Sequence, residues 1–124
     1  MSALRRPSRL VWIGIGAAPL AWATQHVMGV AFALAQCDPA GARWRLPVRG
    51  WDVGTAIAAA VVALAGIAAA VVAFLDTRAL QDEPPPASRI RFMAVLGMTI
   101  SPLFLAIIVL DGLGSGLVDV CRQS

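Results

Sequence analysis

The chain has 124 residues, of which 59% are hydrophobic, and its mean hydropathy is +0.77. Soluble domains contain about 45–50% apolar residues, and a chain of this size cannot bury so large an apolar surface in one core. The composition therefore excludes a soluble globular protein. The formal net charge is only +3, which gives no reason to expect a nucleic-acid partner.

Three apolar runs account for this composition: Leu10 to Ala35, Val53 to Leu75 and Phe92 to Leu110. Each has about the 20 residues that cross a hydrocarbon core roughly 30 Å thick. Backbone groups in lipid must be paired within the segment, so each run is expected to be a helix. The sequence predicts an all-α membrane protein in which residues 1–124 form a single unit. Its three transmembrane helices, at about 10–36, 52–75 and 90–111, are joined by short loops.

The segment "RRPSR" precedes the first run and raises the alternative of a signal peptide. The run is longer than the roughly 7–15 apolar residues of a signal peptide, and this favours a spanning helix. The small-residue pattern in "AFALAQ" nevertheless resembles a cleavage site, so the alternative stays open at this point.

All ten basic residues are arginines, and their distribution indicates an orientation. Six fall on one side of the predicted membrane: Arg5, Arg6, Arg9, Arg78, Arg89 and Arg91. Four fall on the other side: Arg43, Arg45, Arg49 and Arg122. Cytoplasmic loops carry an excess of basic residues. We therefore expect the N-terminus on the cytoplasmic side and the C-terminus on the opposite side.

The two connections differ in composition. The first contains Trp44 and Trp51 among arginines, and tryptophan favours the membrane interface, so we expect this loop to lie on the membrane surface. The second contains Pro84–Pro86, which favours an extended, solvated spacer. Neither connection is long enough for a catalytic domain.

Cys37 and Cys121 are the only cysteines, and three spans place both on the same face. In an oxidising compartment we expect them to form one intramolecular disulfide. The segment "DGLGSGLVDVC" must then fold back or continue as a helix to bring Cys121 to Cys37. The alternatives are two unrelated small residues at helix ends, or a metal site, for which further ligands are lacking.

Small residues recur along one face of the second apolar run at spacings of four and three: Ala59, Ala63, Gly66, Ala70 and Ala73. Such stripes let membrane helices approach closely. Few large side chains remain in this run to fill a thick three-helix core, which favours packing against a larger membrane complex. In the third run, Pro102 frees the carbonyl of Met98 and predicts a kink, with Thr99 and Ser101 placed to satisfy the local backbone.

A polar pair, Gln25 and His26, interrupts the first run, on the same side as Trp22 and Gly29. Polar groups in a spanning helix are costly and face protein or a cavity. His26 is the only histidine. It could form a hydrogen bond across a helix interface, ligate a haem or pigment through its imidazole, or border a quinone or proton path. Gln25 and Trp22 would line the same site.

No catalytic constellation is present in the sequence. There is no soluble scaffold for a nucleophilic triad, no C-x-x-C or H-E-x-x-H motif and no phosphate loop. We interpret "GLGSG", residues 112–116, as a flexible turn. The sequence predicts a protein that is not an enzyme and has no metal site.

The pattern resembles that of small three-helix bacterial membrane proteins encoded beside haem-copper cytochrome oxidases. The matching residues are Pro19, Trp22, Ala23, Gln25, His26, Gly29, Cys37, Pro102 and Cys121. The helix pattern matches over most of the chain, and the first helix is the specific part. The family often has an aromatic residue after the glycine, where this chain has Val30. The resemblance implies a bacterial inner membrane with the C-terminus in the periplasm, and a role beside a terminal oxidase. It identifies no catalytic residue.

These observations favour a non-catalytic accessory or assembly subunit of a respiratory membrane complex, specifically of a haem-copper cytochrome oxidase. The subunit would have no cofactor of its own. Its partners would be the lipid bilayer and a larger integral membrane complex. The alternative is a haem-, pigment- or quinone-binding membrane protein in electron transfer or a photosynthetic assembly, with the cofactor at His26. A small transporter is less consistent with three spans and a single histidine.

Overall fold

The computed structural model describes residues 4–39, 47–80, 82–119 and 121. Within them the chain forms three long helices: α1 at Arg5–Cys37, α2 at Val48–Asp76 and α3 at Ala87–Leu117. A short 3-10 helix, Arg78–Leu80, follows α2. The described residues contain no strand. The predicted all-helical fold with three helices is confirmed.

Each helix is longer than the apolar run inside it. The difference is largest in α3, which continues through Gly112, Gly114 and Gly116 to Leu117. The interpretation of these glycines as a flexible turn is therefore wrong. Gly112 has a packing reason to be in a helix, because a Cβ atom at this position would lie 2.8 Å from the Cβ atom of Ala56 in α2.

The connections also differ from the sequence-based expectation. Trp51 belongs to the first turns of α2, where its ring centroid lies 6.0 Å from that of Phe32 in α1. The position of Trp44 lies outside the described residues. Pro84–Pro86 form turns that lead directly into α3 rather than an extended spacer, because the chain must reverse direction between α2 and α3 within a few residues.

The helices run up, down and up, so that α1 and α3 are parallel and α2 is antiparallel to both. Contacts between α1 and α3 advance together along the two helices, from Gly14 with Ser101 to Cys37 with Cys121. Cys37 and Cys121 therefore meet at one end of the bundle, and the Arg78–Leu80 turn lies at the other.

Glycine and alanine form the seam where the three helices meet. A Cβ atom on Gly14 would lie 2.8 Å from the Cβ atom of Ala70, and a Cβ atom on Gly97 would lie 3.1 Å from the same atom and 3.2 Å from the carbonyl oxygen of Gly14. One glycine from α1, one alanine from α2 and one glycine from α3 thus meet with no room for a larger side chain. This is the close packing that small residues permit between membrane helices.

The predicted stripe on α2 is the face that packs against α1 and α3. Its five members are all buried: Ala59, Ala63, Gly66, Ala70 and Ala73. Val61, on the opposite side of the helix, is 60% exposed. The expectation that the stripe mediates close approach is confirmed, and the surface that it meets lies within the same chain.

Large apolar side chains lie mainly on the outside of the bundle. Two helices in the described part of the chain, α2 and α3, are long and apolar enough to cross a membrane, and only 28% and 22% of their apolar stretches are buried. α1 is as long but less apolar, because Gln25 and His26 interrupt it. The structure thus supports two of the three predicted spans.

Pro102 lies inside α3, which is helical on both sides of it. The Thr99 hydroxyl donates to the carbonyls of Val95 and Leu96 in its own helix. The Ser101 hydroxyl does not satisfy the local backbone as predicted. It donates to the carbonyl of Gly14 in α1 at 2.6 Å, in a fully buried position.

Candidate functional site

A disulfide closes the end of the bundle where α1 and α3 finish. Cys37 and Cys121 are bonded, with Cα atoms 5.5 Å apart, as the sequence predicted. Helix α3 continues to Leu117, and this continuation carries the chain to the level of Cys37. At the same end, the Arg49 guanidinium donates to the carbonyl of Gly116, joining the start of α2 to the end of α3.

Gln25 lies on the inner face of α1 and is only 4% exposed. It follows Val11, Gly14, Ala18 and Ala21 along the buried stripe of that helix. Its Nε2 atom donates to the carbonyl oxygen of Ile108 in α3 at 3.3 Å. Its Oε1 atom is buried and has no hydrogen-bond partner among the described residues.

His26 faces a different environment from its neighbour, because successive helical residues point about 100° apart. Its side chain is 57% exposed, and Nδ1 lies 3.9 Å from Oδ2 of Asp111, whose side chain is 45% exposed. This distance allows an ion pair when the imidazole is protonated but exceeds that of a hydrogen bond. The polar pair of the sequence therefore divides: Gln25 points into the bundle and His26 points out of it.

Trp22 connects the polar residues to the apolar core. Its ring stacks on that of His26, with centroids 5.6 Å apart and planes inclined by 24°. Its other neighbour is Phe104 of α3, with ring centroids 5.6 Å apart and planes inclined by 55°. Trp22 is half-buried against the core, so its ring lies between that core and the exposed imidazole.

A cleft of about 700 Å³ opens at the disulfide end. Gln25 and His26 of α1, Arg49 and Asp52 of α2, and Asp111 of α3 contribute to its wall. The volume falls within the range of about 300–1,000 Å³ that is typical of ligand-binding clefts.

Apolar residues of all three helices, and Val118 just after α3, also line this cleft: Val30, Phe32, Ala33, Val48, Leu110, Leu117 and Val118. Val48 is buried, whereas Val30, Leu110 and Leu117 are exposed and form an apolar rim beside the polar side chains. A molecule or side chain that occupies the cleft would need a polar group to meet these polar side chains and an apolar body to cover the rim.

The predicted site residues Trp22, Gln25 and His26 lie close together, although only His26 is well exposed. The sequence reasoning missed Asp52, which lies in the first turns of α2 and is brought beside Gly29 by the antiparallel pairing of α1 and α2. Asp111, which follows the third apolar run, lines the same cleft. Both carboxylates stand at the edge of an apolar run, and this position was the signal available in the sequence.

The described residues contain no group of three or more side chains suited to hold a metal ion. His26 is the one imidazole of the chain. Since its Nδ1 is directed at Asp111, Nε2 is the nitrogen that an axial haem ligand would use.

The opposite end of the bundle is basic. Arg6 and Asp76 form an ion pair at 4.0 Å between α1 and α2. The Arg91 guanidinium lies 4.9 Å from the centre of the Phe74 ring and donates to the carbonyl of Arg78 at 3.3 Å. Arginine side chains thus make weak, exposed contacts between the helix ends on this side, whereas a covalent bond joins the chain at the other end.

No known protein family, curated protein or solved structure matches this chain. Its function is therefore inferred from the residues and contacts described above. The cleft and the helix surface around it are the features that a functional proposal must explain.

Proposed function

We propose that the chain spans the membrane three times and that α1 is the third span. Several large apolar side chains of α1 face outward, as they do in the other two helices: Trp12, Leu20, Val27, Val30 and Leu34. Helix α1 is parallel to α3 and packed against both apolar helices along the glycine seam. A helix in that position shares their surroundings.

In this proposal the disulfide end faces the periplasm of a bacterial inner membrane and the arginine-rich end faces the cytoplasm. The arginines at one end agree with the excess of basic residues on the cytoplasmic side of membrane proteins. The disulfide between Cys37 and Cys121 at the other end agrees with an oxidising compartment. Two independent features therefore support the same orientation.

The proposed function is that of a non-catalytic accessory or assembly subunit of a respiratory membrane complex, a haem-copper cytochrome oxidase, with no cofactor of its own. The observation that carries it is the exposed pair His26 and Asp111. Ionisable side chains within spanning helices face protein or water rather than lipid. A larger partner that covers this side of the bundle would provide such surroundings, and the resemblance to proteins encoded beside cytochrome oxidases supplies the kind of partner.

A second candidate is a haem-, pigment- or quinone-binding protein in electron transfer or a photosynthetic assembly. The observation that favours it is the accessible imidazole of His26, which borders a cleft of ligand size and stacks on Trp22. In this case Trp22 and Gln25 would line the cofactor site. The chain would then carry a chromophore or a quinone when purified by itself.

Purification from its native membrane in mild detergent separates the two candidates. An accessory subunit co-migrates with the larger complex, and the isolated chain shows no visible absorption. His26→Gln should keep the attachment, because an amide can still donate and accept a hydrogen bond, whereas His26→Leu should weaken it. Val27→Leu is the matched control, since Val27 is 67% exposed and does not contribute to the cleft.

A cofactor ligand would behave differently. Glutamine cannot replace imidazole on a haem iron, so His26→Gln and His26→Leu would both lose the chromophore. If the isolated parent chain carries a chromophore and both variants lose it, the accessory role of this face is wrong and the binding-protein candidate replaces it.

A further inference from the structure

We propose that the cleft beside His26 receives a basic side chain, an arginine or a lysine, from a transmembrane helix of the partner complex. This inference rests on the proposed accessory function and specifies which face of the bundle docks and what chemistry it recognises. Three features of the cleft support it: an unsatisfied acceptor, an excess of negative charge among the described residues, and an apolar rim.

The unsatisfied acceptor belongs to the side-chain amide of Gln25. Its orientation is set by the hydrogen bond from Nε2 to the carbonyl of Ile108, because the opposite orientation would bring two carbonyl oxygens together. Oε1 is therefore the other end of the amide, and this acceptor has no hydrogen-bond partner within the described residues. Gln25 is 96% buried and contributes to the cleft wall. An acceptor left in this position is costly unless a donor reaches it.

The second feature is the charge of the residues that line the cleft. Among the described residues that line the cleft, Asp52, Asp111 and Asp119 carry three carboxylates, and Arg49 is the single arginine. The Arg49 guanidinium already donates to the carbonyl of Gly116. The described part of the cleft wall is thus acidic and rich in acceptors. A donor that also carries a positive charge complements both properties, and arginine and lysine are the side chains that do so.

The third feature is the apolar rim, which favours a helix as the occupant. Val30, Leu110 and Leu117 border the cleft and are 50%, 68% and 82% exposed. They form an apolar edge along α1 and α3, while His26 and Asp111 lie exposed between the two helices. An apolar helix with one basic residue covers the apolar edge and meets the polar side chains together. Lipid chains would cover only the edge.

The test uses synthetic transmembrane helices as probes. One is a leucine–alanine helix with a single arginine about two turns from its end, and the other has leucine at that position. The full chain, with a dye at its N-terminus, is reconstituted into phosphatidylcholine vesicles, and association with each acceptor-labelled helix is measured by energy transfer. We expect the arginine helix to bind about tenfold more tightly, a ratio that corresponds to about 1.4 kcal/mol.

Variants of the chain show which residues cause the preference for the arginine helix. Asp111→Asn and Asp52→Asn, which keep the size of the side chain, should each reduce the preference to about twofold. Glu83→Gln removes one negative charge from the opposite end of the bundle and should leave it unchanged. Equal binding of the two helices to the parent chain would overturn the inference, as would a preference that survives both aspartate variants. Water or lipid would then occupy the cleft.

The outcome can be separated from that of the accessory role. If the chain co-purifies with a respiratory complex while the arginine helix shows no preference, the docking chemistry is wrong and the accessory role stands. If the arginine helix binds selectively and no complex co-purifies from native membranes, the cleft recognises a basic helix but the accessory role is wrong.

Discussion

A Cβ atom added to Gly14 would lie 2.8 Å from the Cβ atom of Ala70 and 3.0 Å from the backbone of the same residue. Side chains do not approach backbone atoms so closely, so an alanine at position 14 must move α1 away from α2. Gly16 is two residues away in the same helix, and a Cβ atom there would meet nothing within 4 Å. The two positions offer a direct test of the glycine seam.

We expect Gly14→Ala to destabilise the bundle, with an overpacking cost of about 1–3 kcal/mol that outweighs a gain in helix propensity of about 1 kcal/mol. Gly16→Ala should be stabilising by about 0.5–1 kcal/mol, because only the propensity changes. Unfolding in mixed micelles of increasing dodecyl sulfate content, followed by circular dichroism, measures both. Changes of the same sign and size at the two positions would contradict the close contact at Gly14.

The stripe of small residues on α2 leads to a second prediction. Ala63→Leu or Gly66→Leu should disrupt both folding and assembly, because Ala63 is fully buried and a Cβ atom on Gly66 would lie 3.1 Å from that of Ala17. Val61→Leu adds a methylene on the outer face and should change stability by about 0.5 kcal/mol or less. Expression level and recovery of folded protein from membranes measure the difference. Equal losses from all three changes would show that the stripe has no special role.

The disulfide between Cys37 and Cys121, separated by 84 positions in sequence, should stabilise the bundle by up to about 4 kcal/mol through loop closure. Thiol labelling after denaturation, with and without reductant, detects the bond. Only the reduced sample of the parent chain should be labelled. Cys37→Ser and Cys121→Ser should lower stability by similar amounts, and the double variant should lose no more than either. Equal labelling of both samples would exclude the bond.

The hydrogen bond from Ser101 to the carbonyl of Gly14 should contribute about 0.6 kcal/mol, the average for bonds between membrane helices, and at most about 1.7 kcal/mol. Ser101→Ala therefore destabilises by this amount. Ser115→Ala is the matched control, since its hydroxyl donates to Gly112 in its own helix. The same unfolding measurement compares them. A cost for Ser115→Ala as large as that for Ser101→Ala would show that the interhelical bond adds nothing.

Composition and apolar run length were enough to predict the helical fold and the number of helices. Both are properties of the sequence that do not depend on which surface each helix packs against. The inner face of α2 was also predictable, because small residues at spacings of four and three define one side of a helix wherever it packs. Helix ends were less predictable. Glycines 112–116 suggested a turn, and only contact with α2 explains why α3 continues through Gly112.

The candidate site was half predictable. The polar pair in the first helix was visible in the sequence, and so were the two cysteines that share one face. The position of Asp52 beside Gly29 and that of Asp111 beside His26 depend on how far each helix slides along its neighbours, and no periodicity within a single helix contains that information.

By itself, the sequence determined that the chain is a bundle of three largely apolar helices with a closely packed second helix, because these properties follow from composition and local spacing. The tertiary structure alone decided that Gln25 is buried while His26 is exposed. A helical step of about 100° separates two neighbours, and the rotation of α1 against α2 and α3, set by the contacts of Gly14 and Gly66, determines which of them faces the core.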